Sequence, residues 1–533
     1  MLFNSYEFIL GFLPVVALAF FLLGRTSRVW ALRWLMLSSL FFYAWWRPLN
    51  VAIIVPAILI NYGLALAILR ANRGNDSRSA RLFLVLGIVF NVAFLGYFKY
   101  ANFAATVSND VFGTDFVLSQ IILPLGISFI TFQKIAFLID VHGRRIERIS
   151  FEDFCLFVLF FPQLIAGPIV HYREMQPQFH RLTCAADREN LSVGLTLFLF
   201  GLFKKLFLAD GIAPLVSSIY DQAAAAGTMS LLPAWMAAVG FTLQIYFDFS
   251  GYTDMALGSA RIFGIRLPPN FDSPLRASSI IEFWSRWHMT LTRFLTAYVY
   301  NPLLLWLTRR RLARGRPGYG KKPTAGAFVE LLVLPTLLTM FLSGVWHGAG
   351  YLFVVWGVLH GVFIVVNHAW RHAAPAWWTV RTAYTRPIGM AITLLCVVVS
   401  MVIFRAQSPA VATELIGGMF GLNGIALPEP IYRALRPLAP LLQQAGITSG
   451  LGFDLAFSRL AVWIVFLSAI ALLMPNTLRL LRWHEPAVSW EPAPGDRSPA
   501  WQPSVAWAVI VAAVGAAGLS RLAAPSEFLY WQF

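Results

Sequence analysis

The octapeptide SGVWHGAG, residues 343–350, sets Trp346 and His347 among small residues inside an apolar run that extends from Leu331 to Val366. An ionisable ring is costly in such surroundings. A neutral imidazole, with an ordinary pKa of about 6.5, is also the commonest general base. His347 is therefore a candidate to take the proton from a hydroxyl as that oxygen attacks an activated acyl carbon. Ser343, Gly344, Gly348, Ala349 and Gly350 let a backbone or a substrate come close. Small residues also serve helix packing, which accounts for the glycines but not for the imidazole. His360, in WGVLHG, is either a second polar group of the same pocket or a buried histidine with its hydrogen bonds satisfied.

A second concentration of polar chemistry lies between two apolar segments, in residues 246–293. It carries Asp248, Asp254, Arg261, Arg266, Asp272, Arg276, Glu282, Arg286, His288 and Arg293. On a continuous helix Glu282 and Arg286 are i,i+4 partners, and Arg293 lies two turns further along that face. Ser285, His288 and Thr292 make a neighbouring polar stripe. Polar groups embedded in apolar surroundings face a cavity or a partner, so Asp248, Asp254, Glu282 and Arg286 are candidate lining residues. The alternative is an interfacial helix whose charges reach water along their own stems. Glu282 with Arg286 reads as a structural ion pair.

The elements that must position these groups are apolar. The 533-residue chain is 58% hydrophobic and only 12% charged, against roughly 25% charged residues in soluble domains. Apolar stretches recur at 8–23, 31–46, 51–69, 82–98, 191–208, 231–247, 328–345, 351–369, 387–404, 459–474 and 504–519. About 20 such residues cross a bilayer as a helix. Two further segments, near 117–140 and 154–170, are broken by Pro124, Gly126, Pro162 and Gly167-Pro168, a pattern that suits re-entrant chain. The fold class is all-α and polytopic, with roughly 11–13 transmembrane or re-entrant helices in one membrane domain over 1–533. The start has no basic leader and no small-residue cleavage site, so it reads as a first helix.

The formal charge of +16 does not point to nucleic acid, because it alternates along the chain. Arg25, Arg28 and Arg33 share one loop; Arg70, Arg73, Arg78 and Arg81 share another; Arg144, Arg145 and Arg148 a third. The intervening 100–116 region carries Asp110 and Asp115. This is the positive-inside pattern: it puts the N-terminus outside and the three basic loops in the cytoplasm. Residues 309–322, RRRLARGRPGYGKK, hold seven bases and no acid and read as a further cytoplasmic loop. They serve topology or hold the phosphates of an acyl donor. Residues 407–457 and 475–503 read as polar extramembrane loops. Cys155, Cys184 and Cys396 are too few and scattered for a disulfide frame or metal cluster. No nucleophile elbow, phosphate-binding loop or zinc-protease motif occurs, and no metal is expected.

Taken in order, PLGISFITFQKIAFLIDV (124–141), FPQLIAGPIVHYREMQPQF (161–179), GLFKKLFLADGIAPLV (201–216), YFDFSGYTDMALGSARIFGIRLPPNF (246–271), IIEFWSRWHMTLTRF (280–294), SGVWHGAGYLFVVWGVLHG (343–361) and FRAQSPAVATELIGGMFG (404–421) resemble the membrane-bound O-acyltransferase (MBOAT) superfamily. The bacterial branch typified by the alginate O-acetyltransferase membrane subunit is the nearest in pattern, and the terminal SEFLYWQF fits as well. The resemblance implies a ring of helices around a thin central core. It implies transfer of an acyl group, typically acetyl, from a cytoplasmic thioester such as acetyl-CoA or an acyl carrier to a hydroxyl of an exported cell-envelope polysaccharide. The histidine of its W-H-G motif, here His347, is the catalytic one, flanked by Trp346 and Gly348; the histidine of R-W-H, here His288, is the second. An accessory acyltransferase outside a bacterial inner membrane is the implied partner. D-alanyl transfer to teichoic acid is the other activity of the superfamily in view, and a transporter or flippase is the alternative outside it.

Overall fold

A computed structural model describes the chain apart from residues 120, 376–377, 379–381, 445, 452–454, 494, 527–528 and 530–533. Part of the terminal SEFLYWQF lies outside the described residues. Each of the eleven apolar stretches carries a helix. Among the described residues seven helices are long and apolar enough to cross a membrane: Glu7–Gly24, Leu49–Arg73, Ser77–Phe112, Arg188–Ala225, Ala325–His347, Tyr351–Ala373 and Thr382–Arg405. Phe457–Leu473 and Val505–Leu519 are shorter apolar helices. The protein is an all-α polytopic membrane protein. Among the described residues the strands are Ile425–Pro428 and Ile447–Leu451, a parallel pair with Ile425 opposite Ile447.

The chain forms two compact units. The first comprises Met1–Phe203, Gly251–Asn270 and Thr477–Ala523. Its interior is aromatic: Phe8 stacks on Phe12 at 5.7 Å, and Phe161 meets Phe12 edge-on at 5.2 Å. Glycines seven residues apart on two helices let backbones touch. A Cβ on Gly201 would lie 2.6 Å from the Gly251 carbonyl oxygen, and one on Gly258 would lie 2.6 Å from the Phe198 nitrogen. The broken segments behave as their prolines and glycines dictate. Residues 113–119 are non-helical, and Gly126, with φ +66°, opens the Ile127–His142 helix. A side chain there would press on the Leu164 carbonyl at 2.5 Å. Phe151–Leu159 and Phe161–Leu164 are short helices, the second begun with Pro162 in its first turn.

The second unit comprises Lys204–Ser250, Phe271–Asn476 and Ala524–Phe533. Here the Leu334–His347 and Tyr351–Ala373 helices form a tight hairpin. A Cβ on Gly344 would sit 3.0 Å from Gly357 Cα and run into the Phe353 carbonyl oxygen. One on Gly357 would sit 2.9 Å from Gly344 Cα and run into that of Met340. Real Cβ atoms do not tolerate such approaches, and small residues at such a crossing let two membrane helices pack backbone to backbone.

Three expectations need correction. Residues 280–293 are not one helix: Ile280–Arg286 and Met289–Leu295 are separate, and His288 between them has φ 44° and ψ 50°. The polar stripe Ser285–His288–Thr292 is therefore not a helical face. The basic segment 309–322 is not all loop, because the Asn301–Ala313 helix runs into it. Arg311 anchors that end, donating to the Pro317 carbonyl at 2.6 Å and pairing with Glu330 at 2.9 Å. The polar stretches 407–457 and 475–503 hold ordered elements. Ser408 caps the Pro409–Met419 helix through the Val411 N–H at 3.3 Å, and Trp501 N–H donates to the Leu480 carbonyl at 2.6 Å.

The hairpin crossing gives a direct test. Gly357→Ala should destabilise the purified protein by roughly 1–3 kcal/mol through overpacking. Gly63→Ala, in a helix where a Cβ meets nothing within 4 Å, should be neutral or stabilising by about 0.5–1 kcal/mol. Thermal unfolding of the two variants should move in opposite directions, or at least differ by that margin.

Candidate active site

His347 is the last residue of the Leu334–His347 helix, which begins with Pro335 in its first turn and ends where Gly348 adopts an extended backbone. The helix stops there because Gly348 and Gly350 carry the chain sharply into Tyr351–Ala373. Gly348 answers to space, not dihedral: a Cβ there would overlap the Phe353 ring. His347 is 4% exposed, and its ring is enclosed by other rings. Trp346 lies 5.0 Å away, Trp356 5.0 Å at 85° and Phe404 5.4 Å at 80°, centroid to centroid. His288 closes the box at 6.3 Å and 62°.

His288 arrives there by a local reversal of the chain. Trp287 is extended and forms an antiparallel bridge with Phe271, and the Asp272 N–H donates to the Arg286 carbonyl at 3.0 Å. The left-handed conformation of His288 then starts the next helix in a new direction. For a non-glycine residue this costs roughly 1–3 kcal/mol unless the surroundings impose it. Phe249 meets the His288 ring edge-on at 4.9 Å, and Trp346 lies 5.9 Å away. Complete burial disfavours the charged imidazole and pushes its pKa down to about 3, so His288 is neutral near pH 7. Of the predicted residues, the structure brings together His347, His288, Trp346 and Gly348.

The others sit in different arrangements. His360 accepts from the Trp284 indole N–H at Nδ1, 3.3 Å, while its Nε2 lies 2.9 Å from the Ser400 hydroxyl. Ser400 in turn donates to the Val397 carbonyl at 2.7 Å. That chain of donors assigns the proton to Nε2 and uses both ring nitrogens. Trp356 stands between the two histidines, 4.7 Å from His360, so His360 supports the wall of the box. Glu282 pairs with Arg286 at 2.7 Å and accepts from the Ser278 N–H and hydroxyl, both at 2.7 Å. Burial acts to raise the Glu282 pKa, but the Ser278 bonds and Arg286 outweigh it and hold the carboxyl below its ordinary range. Asp248 lies 2.7 Å from the Lys205 ammonium, which Asp210 shares at 2.7 Å. Asp254 belongs to the first unit and accepts from the Thr477 hydroxyl at 2.7 Å. Among the described residues no three His, Cys, Asp or Glu side chains gather as a metal-binding group.

Sequence reasoning missed Trp356 and Phe404 as walls of the site, and the hydroxyls of Thr339 and Ser343. Those two residues lie two turns and one turn before His347 on one helix face. Both hydroxyls are buried and have no hydrogen-bond partner among the described residues. The four-residue spacing was visible in TMFLSGVWH, but hydroxyls in a membrane helix usually bond to their own backbone, which masks the signal.

A helical membrane protein whose second unit encloses two imidazoles in an aromatic box is the class that fold and site define. Residues 143–314 match the membrane-bound O-acyltransferase family, MBOAT. The chain is 38% identical over 458 residues to the peptidoglycan O-acetyltransferase of Helicobacter pylori, covering 80% of this chain and 81% of that protein. It is 37% identical over 435 residues to a probable alginate O-acetylase of Pseudomonas aeruginosa, covering 80% and 76%. A teichoic acid D-alanyltransferase of Bacillus subtilis is 27% identical over 287 residues, covering 53% and 69%. The chain belongs to the membrane-bound O-acyltransferase family and is an O-acyltransferase, which sets the transporter alternative aside.

Ser400→Ala separates wall from chemistry. It leaves the His360 Nε2–H without its acceptor, and an unsatisfied buried donor costs roughly 1–3 kcal/mol. Thermal unfolding should register that loss, while the acyl-transfer rate per folded molecule falls far less than on removal of His347.

Proposed function

We propose that this protein transfers an acetyl group from a cytoplasmic thioester, acetyl-CoA or an acyl carrier, to a hydroxyl on the path to an exported cell-envelope polysaccharide, with His347 as general base. The observation that carries the reading is the enclosed ring of His347 at the end of its helix, with His288 6.3 Å away. The acceptor oxygen attacks the thioester carbonyl carbon as His347 takes the hydroxyl proton. The tetrahedral centre collapses with loss of the thiolate, which recovers that proton from the imidazolium. The products are an ester and a free thiol, and the imidazole ends neutral. His288 stays neutral and is assigned a hydrogen-bonding role toward the acyl group.

The acceptor is a glycan of the kind named in the relatives, peptidoglycan or alginate, reached directly or through an accessory acyltransferase outside the inner membrane. The basic loops around residues 25–33, 70–81 and 144–148 face the cytoplasm in this reading, and the N-terminus lies outside. Acetyl is favoured over D-alanyl because the acetyl-transferring relatives match 80% of the chain at 37–38% identity and the D-alanyl one 53% at 27%.

His347→Ala should reduce transfer by roughly 10²–10⁴-fold, the usual contribution of a positioned base, with protein still inserted and accumulating at wild-type level. His288→Ala should lower it strongly as well. Acetate released from the envelope by mild alkali, in a deletion strain carrying each variant, is the measurement. Normal acetate with His347→Ala would end the base assignment, and released D-alanine in place of acetate would move the reading to the other activity.

A further inference from the structure

In the first unit, a polar cleft of about 490 Å³ opens where the Leu49–Arg73 and Ile127–His142 helices end. Arg73, Arg144 and Arg148 line it, with Asn72 and Asn75, and Glu147 is the one carboxylate among the lining residues. Leu69 and Ile146, both buried, supply its apolar part. The positive-inside pattern explains why arginines occur at these helix ends. It does not explain why three of them, from two separate segments, border one concavity.

The cleft is built by its own hydrogen bonds. Asn72 donates to the Val141 carbonyl at 3.0 Å and so ties the two helix ends together. Arg144, at φ 56°, donates to the Asn72 carbonyl at 3.0 Å and to the Asn75 side chain at 2.9 Å. Arg73 makes only a long bond, 3.4 Å, to the Glu147 carbonyl. Arg148 has no ion-pair or hydrogen-bond partner among the described residues. One guanidinium is therefore committed to the scaffold, and two remain to meet a ligand. Arginine forks match phosphate oxygens. Leu69 belongs to a helix long and apolar enough to cross the membrane, so the apolar part of the cleft sits at the end of a candidate membrane span.

We propose that this cleft binds the headgroup phosphate of an anionic phospholipid of the cytoplasmic leaflet, with Arg73 and Arg148 on the phosphate and the glycerol end against Leu69 and Ile146. Three arginines against one glutamate favour an anion. A lipid satisfies both the charged rim and the apolar base, whereas a soluble phosphate satisfies only the rim.

The test is titration of the purified full-length protein in detergent with phosphatidylglycerol, read by native mass spectrometry and thermal unfolding. Wild type should retain the lipid and unfold at a higher temperature with it, and phosphatidylcholine should do neither. The double variant Arg73→Gln, Arg148→Gln should lose on the order of 25-fold in apparent affinity, about fivefold per arginine. Both residues are exposed, so lipid-free unfolding should stay as in wild type. Arg78→Gln, Arg81→Gln removes the same charge outside the cleft and should keep the binding. Equal loss in both double variants would reduce the effect to general basic attraction and overturn the site. So would unchanged binding in the first, or displacement of the lipid by millimolar inorganic phosphate or acetyl-CoA, which would make the cleft a soluble-phosphate site.

Discussion

The close approach of two backbones at Gly344 and Gly357 is the constraint on which the site depends. Neither position has room for a Cβ, since one added at either glycine would lie about 3 Å from the other's Cα. The hairpin can therefore bring the two helix backbones into contact. Trp356 precedes Gly357 directly, and His347 lies three residues beyond Gly344. The crossing thus fixes the ring contact between them as a by-product of backbone geometry. Van der Waals contact between small residues is what holds helices together where lipid is as apolar as the side chains. The same contact that stabilises the hairpin therefore orients the His347 imidazole, without a polar tether that would itself need satisfying.

The other wall of the site obeys a different constraint. A left-handed histidine is unfavourable in isolation, and the surroundings of His288 over-determine it. The Phe271–Trp287 bridge fixes the residue before it, and the Asp272–Arg286 backbone bond fixes the strand that delivers it. Asn476 holds Asp272 at 2.7 Å and the Ser273 hydroxyl at 3.0 Å, and Ser273 is itself at φ 49°. Strain at both ends of this reversal aims His288 at His347, where a straight helix would carry it along a face with Ser285 and Thr292.

What the residues disclosed and what they concealed follows from the range of the forces involved. Apolar length is a local property, and all eleven stretches carry helices. His347 stood out because an imidazole among small residues has no packing rationale, and the structure sets it 6.3 Å from His288, which the family resemblance singled out. The break at residues 287–288 was not legible, because neither Trp nor His marks a turn and the bond that imposes it comes from Asp272, fourteen residues before its partner Arg286. The extension of a helix through Arg309–Ala313 was likewise hidden. Five residues with three arginines look like loop until Glu330, Thr324 and Pro317 fold back on Arg311. Phe404 joins the box from a helix far along the chain, and no spacing near His347 announces it.

The polar block 246–293 shows how a membrane enzyme keeps charge apart from chemistry. Asp248 is held by a lysine and by the Leu529 N–H at 3.2 Å. Glu282 is held by Ser278 and Arg286, and Asp254 accepts from a threonine. Each of these carboxylates has a partner, as the cost of burying charge requires. That leaves the enclosed site to imidazoles, aromatic rings and hydroxyls. With His347 as the proposed base, the imidazolium formed during acyl transfer would be the one new charge such a box has to hold. In the proposed reaction it would arise beside a thiolate leaving group that removes it in the next step. A fixed carboxylate beside His347 would stabilise the imidazolium and hold the proton that the departing thiolate needs. Under that proposal the paired acids of the block serve the reaction by being occupied elsewhere.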